Sequence, residues 1–284
     1  MSHNNSESNT IIFKLNNKFK ITQFATIIQL FKACSETTAM VIMTNHIHIQ
    51  VMDKSHVCLC ECRLFFDWFD NTDEVKKTVQ YLFSKNNNKS ITFIFSSGIF
   101  HTIINSIGDQ QILFMEFNTD DDSFKINIEY NTTNKDNINK YYSLPLIEQE
   151  QEMMKIPDTE YNLDFVIGIK TIYDIFSQMM IFSNTIRFVC DENNMCISST
   201  DGTNGEMKVN INAYDFEEFS IDEGGMLDLE FSLTHLMKYC LTTKLVSQIK
   251  FCMSVDEPMK IIYQLDESSD SVIQFFIAAK MKEE

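Results

Sequence analysis

Ile147-Glu148-Gln149-Glu150-Gln151-Glu152-Met153-Met154-Lys155-Ile156-Pro157-Asp158 decides how this chain is divided, because the sequence says nearly the same thing on each side of it. Glu148, Glu150 and Glu152 keep the stretch polar. Met153, Met154 and Ile156 make it adhesive, and Pro157 stops any helix that begins there. It reads as a connector between two copies of one domain that also forms part of a binding surface, with a short acidic helix or surface loop as the plainer alternative.

Before the connector, Thr10–Leu15 has strand character, and Phe24, Ile27, Ile28 and Phe31 make one apolar helical stripe at i, i+3, i+4 and i+7. Strands are expected at Ala39–Thr44, His46–Met52 and His56–Leu64, with a turn at Asp53–Ser55. A helix carrying Val75, Val79 and Leu82 comes next, and Phe65, Phe66, Trp68 and Phe69 beside it read as a small satellite cluster. Ile91–Phe95 resumes as strand. Ser96 caps a short helix with Ile99, Phe100, Ile103 and Ile104 on one face. Strands Gln111–Phe117, Phe124–Tyr130 and Tyr141–Ile147 complete the first copy.

After the connector the pattern restarts. Leu163–Ile169 is strand-like, and Ile172, Ile175, Phe176 and Met179 repeat the helical stripe. Strands at Thr185–Asp191, Met195–Thr200 and Glu206–Ala213 come next. Phe231-Ser232, an apolar helix, Gln248–Met253 and Met259–Gln264 then match Phe95-Ser96, its helix and its two strands, to about one residue in spacing. Ser271–Met281 closes as a strand. The division expected is a disordered tail over 1–9, one domain over 10–147, the connector over 148–160 and a second domain over 161–284.

With 284 residues the chain holds two cores of ordinary size. There is no apolar run of membrane-spanning length and no apolar signal core at Met1–Thr10, so a soluble, intracellular protein is expected. Cys58, Cys60 and Cys62 share a strand face with His56, but residues of equal parity advance by roughly 6.6 Å per pair. Four ligands so spread do not converge on one tetrahedral ion. No metal and no cofactor is expected, and His46 with His48 reads as structural.

The formal charge of −17 argues against gripping nucleic acid with the whole surface. Arg63 and Arg187 are the only arginines, too few for bidentate reading of guanine edges. Yet the solvent faces of four of the helices, two in each copy, are nearly free of carboxylate. They carry Ala25, Thr26, Gln29 and Lys32; His101, Thr102 and Asn105; Lys170, Asp174, Ser177 and Gln178; and His235, Lys238 and Thr242. A surface cleared of acid inside an acidic protein suits something negative opposite it, and packing against another layer is the plainer alternative.

Four segments carry a family likeness. Val51-Met52-Asp53-Lys54-Ser55-His56-Val57 resembles the Met-Asp-x-Ser-His-Val signature of the proliferating cell nuclear antigen family, the eukaryotic and archaeal sliding clamps. Met154–Tyr161 resembles the end of that family's interdomain connector. Ser254–Met259 and Phe275–Met281 resemble its last strands and C-terminal segment. The resemblance implies an α+β DNA-clamp fold, two similar domains each with outer antiparallel sheets and two inner helices, and subunits that form a ring. It implies a homotrimer around double-stranded DNA, held without sequence preference, and a processivity factor without catalytic activity that tethers replication and repair proteins. The partners implied are DNA polymerase, the clamp loader and other proteins carrying a clamp-binding peptide; the place implied is the nucleus, or a cytoplasmic replication site if the source is viral.

By the same resemblance the peptide pocket falls on Met52, His56, Leu59, Ile156, Pro258, Phe276, Ala278, Ala279 and Met281. The DNA-facing residues would be Gln29, Lys32, His101, Lys170, Ser177, His235 and Lys238. The subunit interface would pair Tyr141, Tyr142, Leu144 and Leu146 with Glu206, Lys208 and Asn210 of the next subunit. The chain departs from the family in weakly basic helix faces, in a longer Phe65–Ser90 segment, and in Ala279 where proline is usual. A subunit of a heteromeric clamp, a monomeric polymerase accessory factor, and more remotely an enzyme using Ser55, His56 or Cys58 are the other functions open to the sequence.

Overall fold

The computed structural model describes residues 9–86, 89–132, 137–150, 153–203, 205–267 and 269–280. The expected tail, apart from Asn9, and Met281 lie outside them. The chain forms two compact units. One comprises 1–51, 62–153 and 266–271; the other comprises 52–61, 154–265 and 272–284. The strand Cys58–Phe65 divides between them after Glu61.

The first unit opens with β1 (Thr10–Leu15) and α1 (Lys18–Cys34), followed by β2 (Thr37–Ile42), β3 (His46–Met52) and β4 (Cys58–Phe65). Asn17 starts α1 by accepting from the amides of Phe19 and Lys20, and Lys32 sits in its last turn, where a cation meets the negative helix end. After α2 (Thr72–Asn86) the order recurs as β5 (Ile91–Ser96), α3 (Ser97–Ile104), β6 (Gln111–Asn118), β7 (Ser123–Tyr130) and β8 (Lys140–Pro145). One sheet runs β1-β6-β7-β8, and β2 pairs antiparallel with both β3 and β5.

The second unit repeats this scheme: β9 (Leu163–Gly168), α4 (Ile169–Met179), β10 (Thr185–Cys190), β11 (Asn194–Thr200) and β12 (Glu206–Asn212). After β13 (Glu218–Ile221) come β14 (Leu227–Ser232), α5 (Leu233–His235), β15 (Gln248–Met253), β16 (Met259–Gln264) and β17 (Val272–Ile277). Its sheets run β12-β11-β10-β14 and β13-β9-β15-β16-β17, antiparallel throughout. A strand, a helix and three strands therefore occur four times. Where the first unit inserts α2 between its two copies, the second inserts β13.

Four expectations are corrected. Phe66, Trp68 and Phe69 are at most 3% exposed and belong to the main core: Phe13 lies 4.7 Å from Phe69 and 5.7 Å from Phe66, and Trp68 lies 6.4 Å from Phe24. Thr26 points inward with its hydroxyl donated to the Thr22 carbonyl, whereas Ile99 points out. His56 takes φ +57°, so it lies in a turn and β4 begins only at Cys58. The fourth helix is α5 continued by a π-helical turn, Leu236–Cys240. The buried Tyr263 hydroxyl ends it by donating to the Cys240 carbonyl while accepting from the Thr242 amide. The strand β13 has no counterpart in the sequence reading: four residues alternating Glu218, Phe219, Ser220 and Ile221 are too short and too polar to stand out.

Candidate partner pocket, helix faces and sheet edges

Asp53 organises the turn that the signature marks. Its carboxylate is buried and accepts from the amides of Ser55, Val57 and Cys58 and from the Ser55 hydroxyl. Burial alone would raise its pKa, but the Ser55 hydroxyl and these three amides outweigh it and hold the group below the ordinary 3.8. Ser55 Oγ also meets His235 Nε2 at 3.0 Å, and His235 Nδ1 meets Ser232 Oγ at 2.7 Å. The spacing Asp-x-Ser-His-Val is thus the wiring of one loop: acceptor, hydroxyl donor, left-handed turn residue and amide donor.

Beyond that loop lies a cavity of about 220 Å³. Leu59, Ile156, Pro258 and Phe276 line it together, as do Met154, Lys155, Pro157, Thr159, Tyr161 and Glu257. Ile156 is half-buried and Phe276 is 8% exposed, so the floor is apolar while Lys155 and Glu257 stand at the rim. Burial, helped by Cys252 and Glu257, raises the Tyr161 phenol to about 12, so it stays a neutral donor at neutral pH. An apolar basin with a few polar groups at its edge suits short aliphatic and aromatic side chains.

Met52 and His56 do not line this cavity; they contact each other, Met52 Sδ to His56 Nδ1 at 3.1 Å. The Ala278 amide donates to the Val57 carbonyl, which holds the C-terminal segment beside the signature loop. Ala278 is exposed and Ala279 half-buried, and neither lines the cavity. The lining residues that the family resemblance does not supply flank Ile156 and Pro258 in the sequence, so adjacency in the same two segments is their signal.

On the helix faces of the first unit, Gln29 and Lys32 are exposed and His101 is half-buried, with Lys32 Nζ 3.4 Å from His101 Nδ1. Burial first, and the Lys32 charge second, lower the His101 pKa below 6.5. His101 therefore adds little positive charge at neutral pH. Because its folded pKa is lowered, the unfolded chain binds more protons below 6.5, and stability falls as pH drops through that region. Lys32→Met is expected to raise the His101 midpoint in an NMR titration without restoring 6.5, since burial remains; an unchanged midpoint would remove Lys32 as a cause.

In the second unit Lys170 and Lys238 are exposed, and Lys238 Nζ lies 2.8 Å from the Tyr239 hydroxyl and 4.6 Å over its ring. Ser177 donates to the Tyr173 carbonyl. His235 is half-buried in its bonds to Ser55 and Ser232, which makes it a structural member of the signature loop as well as a helix-face residue.

Tyr141, Tyr142 and Leu144 lie on β8, and Leu146 just past it; Glu206, Lys208 and Asn210 lie on β12. Both strands are edges of their sheets. Tyr141 is 65% exposed while Leu144 is buried, so β8 presents one face and its outer backbone. Glu206, Lys208 and Asn210 are exposed, with Lys208 and Glu206 paired at 2.9 Å.

No family model matches the chain. It is 25% identical over 251 residues to proliferating cell nuclear antigen of Chaetomium thermophilum, covering 83% of this chain and 85% of that one. It is 22% identical to probable DNA polymerase sliding clamp 2 of Paramecium bursaria Chlorella virus 1, covering 83% and 79%. It is 23% identical to the DNA polymerase sliding clamp of Methanococcus maripaludis, covering 84% and 87%. The structure superposes on that of proliferating cell nuclear antigen from Entamoeba histolytica with a TM-score of 0.75 at 17% identity, over 95% of this chain and 98% of the other.

The fold is that of a sliding-clamp structure, and the relatives the chain resembles are DNA sliding clamps, as the sequence resemblance implied. Within that class its likeness is to the proliferating cell nuclear antigen family.

Proposed function

We propose that this protein is a DNA sliding clamp: a non-catalytic processivity factor whose subunits close head to tail, three to a ring, around duplex DNA. The observation that carries the assembly is a broken repeat. In the second unit β17 lies beside the first half of β4. The strands in the equivalent places of the repeated order, β8 and β12, are edges without a neighbour among the described residues. Unpaired edges are ordinarily covered or blunted, and joining β8 of one subunit to β12 of the next completes the same kind of pair. A heterologous join of this type closes into a ring when the rotation allows.

The domain division at the connector, Ile147–Asp158, belongs to this proposal, as do the DNA-facing roles of Gln29, Lys32, Lys170 and Lys238. Sparse cations suit the task. A ring holds DNA by topology, and sliding needs a shallow energy surface along the duplex, so tight phosphate neutralisation would work against it. A replication site, nuclear or viral, is the corresponding location.

The deciding measurement is mass and particle shape: light scattering should return three times 33.1 kDa, and negative-stain images should show rings. A strict monomer at micromolar concentration sinks the homotrimer and leaves a heteromeric subunit or a monomeric accessory factor.

The pocket around Ile156 would take the partner peptide. A peptide with the pattern Gln-x-x-aliphatic-x-x-aromatic-aromatic is expected to bind. Ile156→Ala removes part of a half-buried side chain, a loss of about 1.4 kcal/mol or tenfold in affinity. Calorimetry showing equal affinity for the variant would take the pocket assignment away.

A further inference from the structure

The first unit has another sheet edge, besides β8, that the clamp function leaves unused. The strand β5 pairs along its whole length with β2 on one side and ends its sheet on the other. The Ile94 carbonyl points to that outer side, because it accepts from the Ile147 amide at 2.8 Å. In an antiparallel strand a residue's amide and carbonyl point the same way and successive residues alternate. The amide and carbonyl of Thr92 therefore also face outward, as does the Ile94 amide.

What they face is a cleft of about 860 Å³. Ser90 through Ile94 form one wall, and the turn after β6 with Glu148 forms the other. That second wall is acidic. Asp120, Asp122 and Glu148 are exposed; Asp120 accepts from the Asn9 side-chain amide at 2.5 Å, and among the described residues Asp121 is the member with a partner cation, Lys125 at 2.7 Å. Among the described residues no lysine or arginine lines the cleft. Extended chain rises about 3.3 Å per residue and lies about 4.8 Å from its neighbour, so four or so residues of added strand match the free length of β5 before Ile147 closes it.

We propose that this edge is a docking site for an extended, lysine- or arginine-rich segment of a partner protein, which adds to β5 as one more strand. Backbone pairing with Thr92 supplies the affinity, and the carboxylates opposite select basic side chains on alternate positions. The site is separate from the Ile156 pocket and needs no trimer, so it stands or falls apart from the clamp reading.

The test uses the full-length protein and a capped octapeptide alternating Lys with Val or Thr, followed by fluorescence anisotropy, with Glu in place of Lys as the control. Saturable binding of the Lys peptide is expected, at least tenfold tighter than the Glu peptide, with slowed exchange of the Thr92 amide. Thr92→Pro removes only an outward donor and leaves the β2 ladder complete; it should weaken the Lys peptide at least tenfold while leaving the assembly mass unchanged. The double change Asp120→Lys with Asp122→Lys should reverse the peptide preference, and it decides the matter if the proline variant fails to fold. Equal binding of the two peptides, retention of binding by a folded Thr92→Pro, or no saturation up to about 1 mM overturns the proposal.

Discussion

Ser143→Pro is expected to turn the proposed ring into single subunits of 33.1 kDa. The Leu146 amide donates to the Asp122 carbonyl, one step beyond the Ser123–Pro145 pair in the β7–β8 register. By alternation Tyr142 and Leu144 hydrogen-bond inward to β7, and Ser143 directs its amide away from the sheet. Proline at 143 therefore keeps the β7 ladder but removes a donor from the free edge and places a ring where the next strand must come. Each join is left with an orphaned carbonyl costing about 1–3 kcal/mol. Over three joins that is on the order of 3–9 kcal/mol, enough to empty a trimer at micromolar concentration. Ser143→Ala, which keeps the amide, should remain trimeric. Light scattering that finds Ser143→Pro still trimeric would show that β8 is not the join.

Asp53→Ala should be among the most destabilising single changes in the second unit. It strips the acceptor from the amides of Ser55, Val57 and Cys58 and from the Ser55 hydroxyl, in a place where Asp53 is 2% exposed. Three orphaned amides cost on the order of 3 kcal/mol or more, a large part of an ordinary folding free energy. The pH dependence has a definite sign. A carboxylate whose folded pKa lies below 3.8 contributes stability that is complete above the unfolded value and is lost as pH falls through the folded one. Acid unfolding of the unmodified protein should steepen below pH 3.8, and Asp53→Asn should lose that component. Chemical denaturation at pH 7 and at pH 3 measures both effects. A variant of unchanged stability would mean that the loop finds other acceptors.

Much of the fold was legible because the core faces obey simple periods. Phe24, Ile27, Ile28 and Phe31 are all fully buried, as the helical spacing requires. Ile99 broke the same rule in α3, a helix of eight residues in which Phe100, Ile103 and Ile104 already fill the inward arc. Periodicity counts residues, but it cannot say how wide an apolar arc the neighbours will cover.

The aromatic run after β4 shows a different limit. Phe66, Trp68 and Phe69 read as a side cluster because nothing nearby in sequence packs on them. Their partners are Phe13 and Phe24, far earlier in the chain. The cavity at Ile156 was half legible for a related reason: Leu59, Ile156, Pro258 and Phe276 come from four separate segments, and only folding brings them to one basin.

By itself the sequence determined the duplication, the strand and helix order apart from β13, and the acid-poor helix faces, since each is written in local spacing and residue type. The tertiary structure alone decided which strands are left as edges and what surrounds Asp53. Strand pairing and burial depend on contacts between residues distant in the chain, and no local period records them.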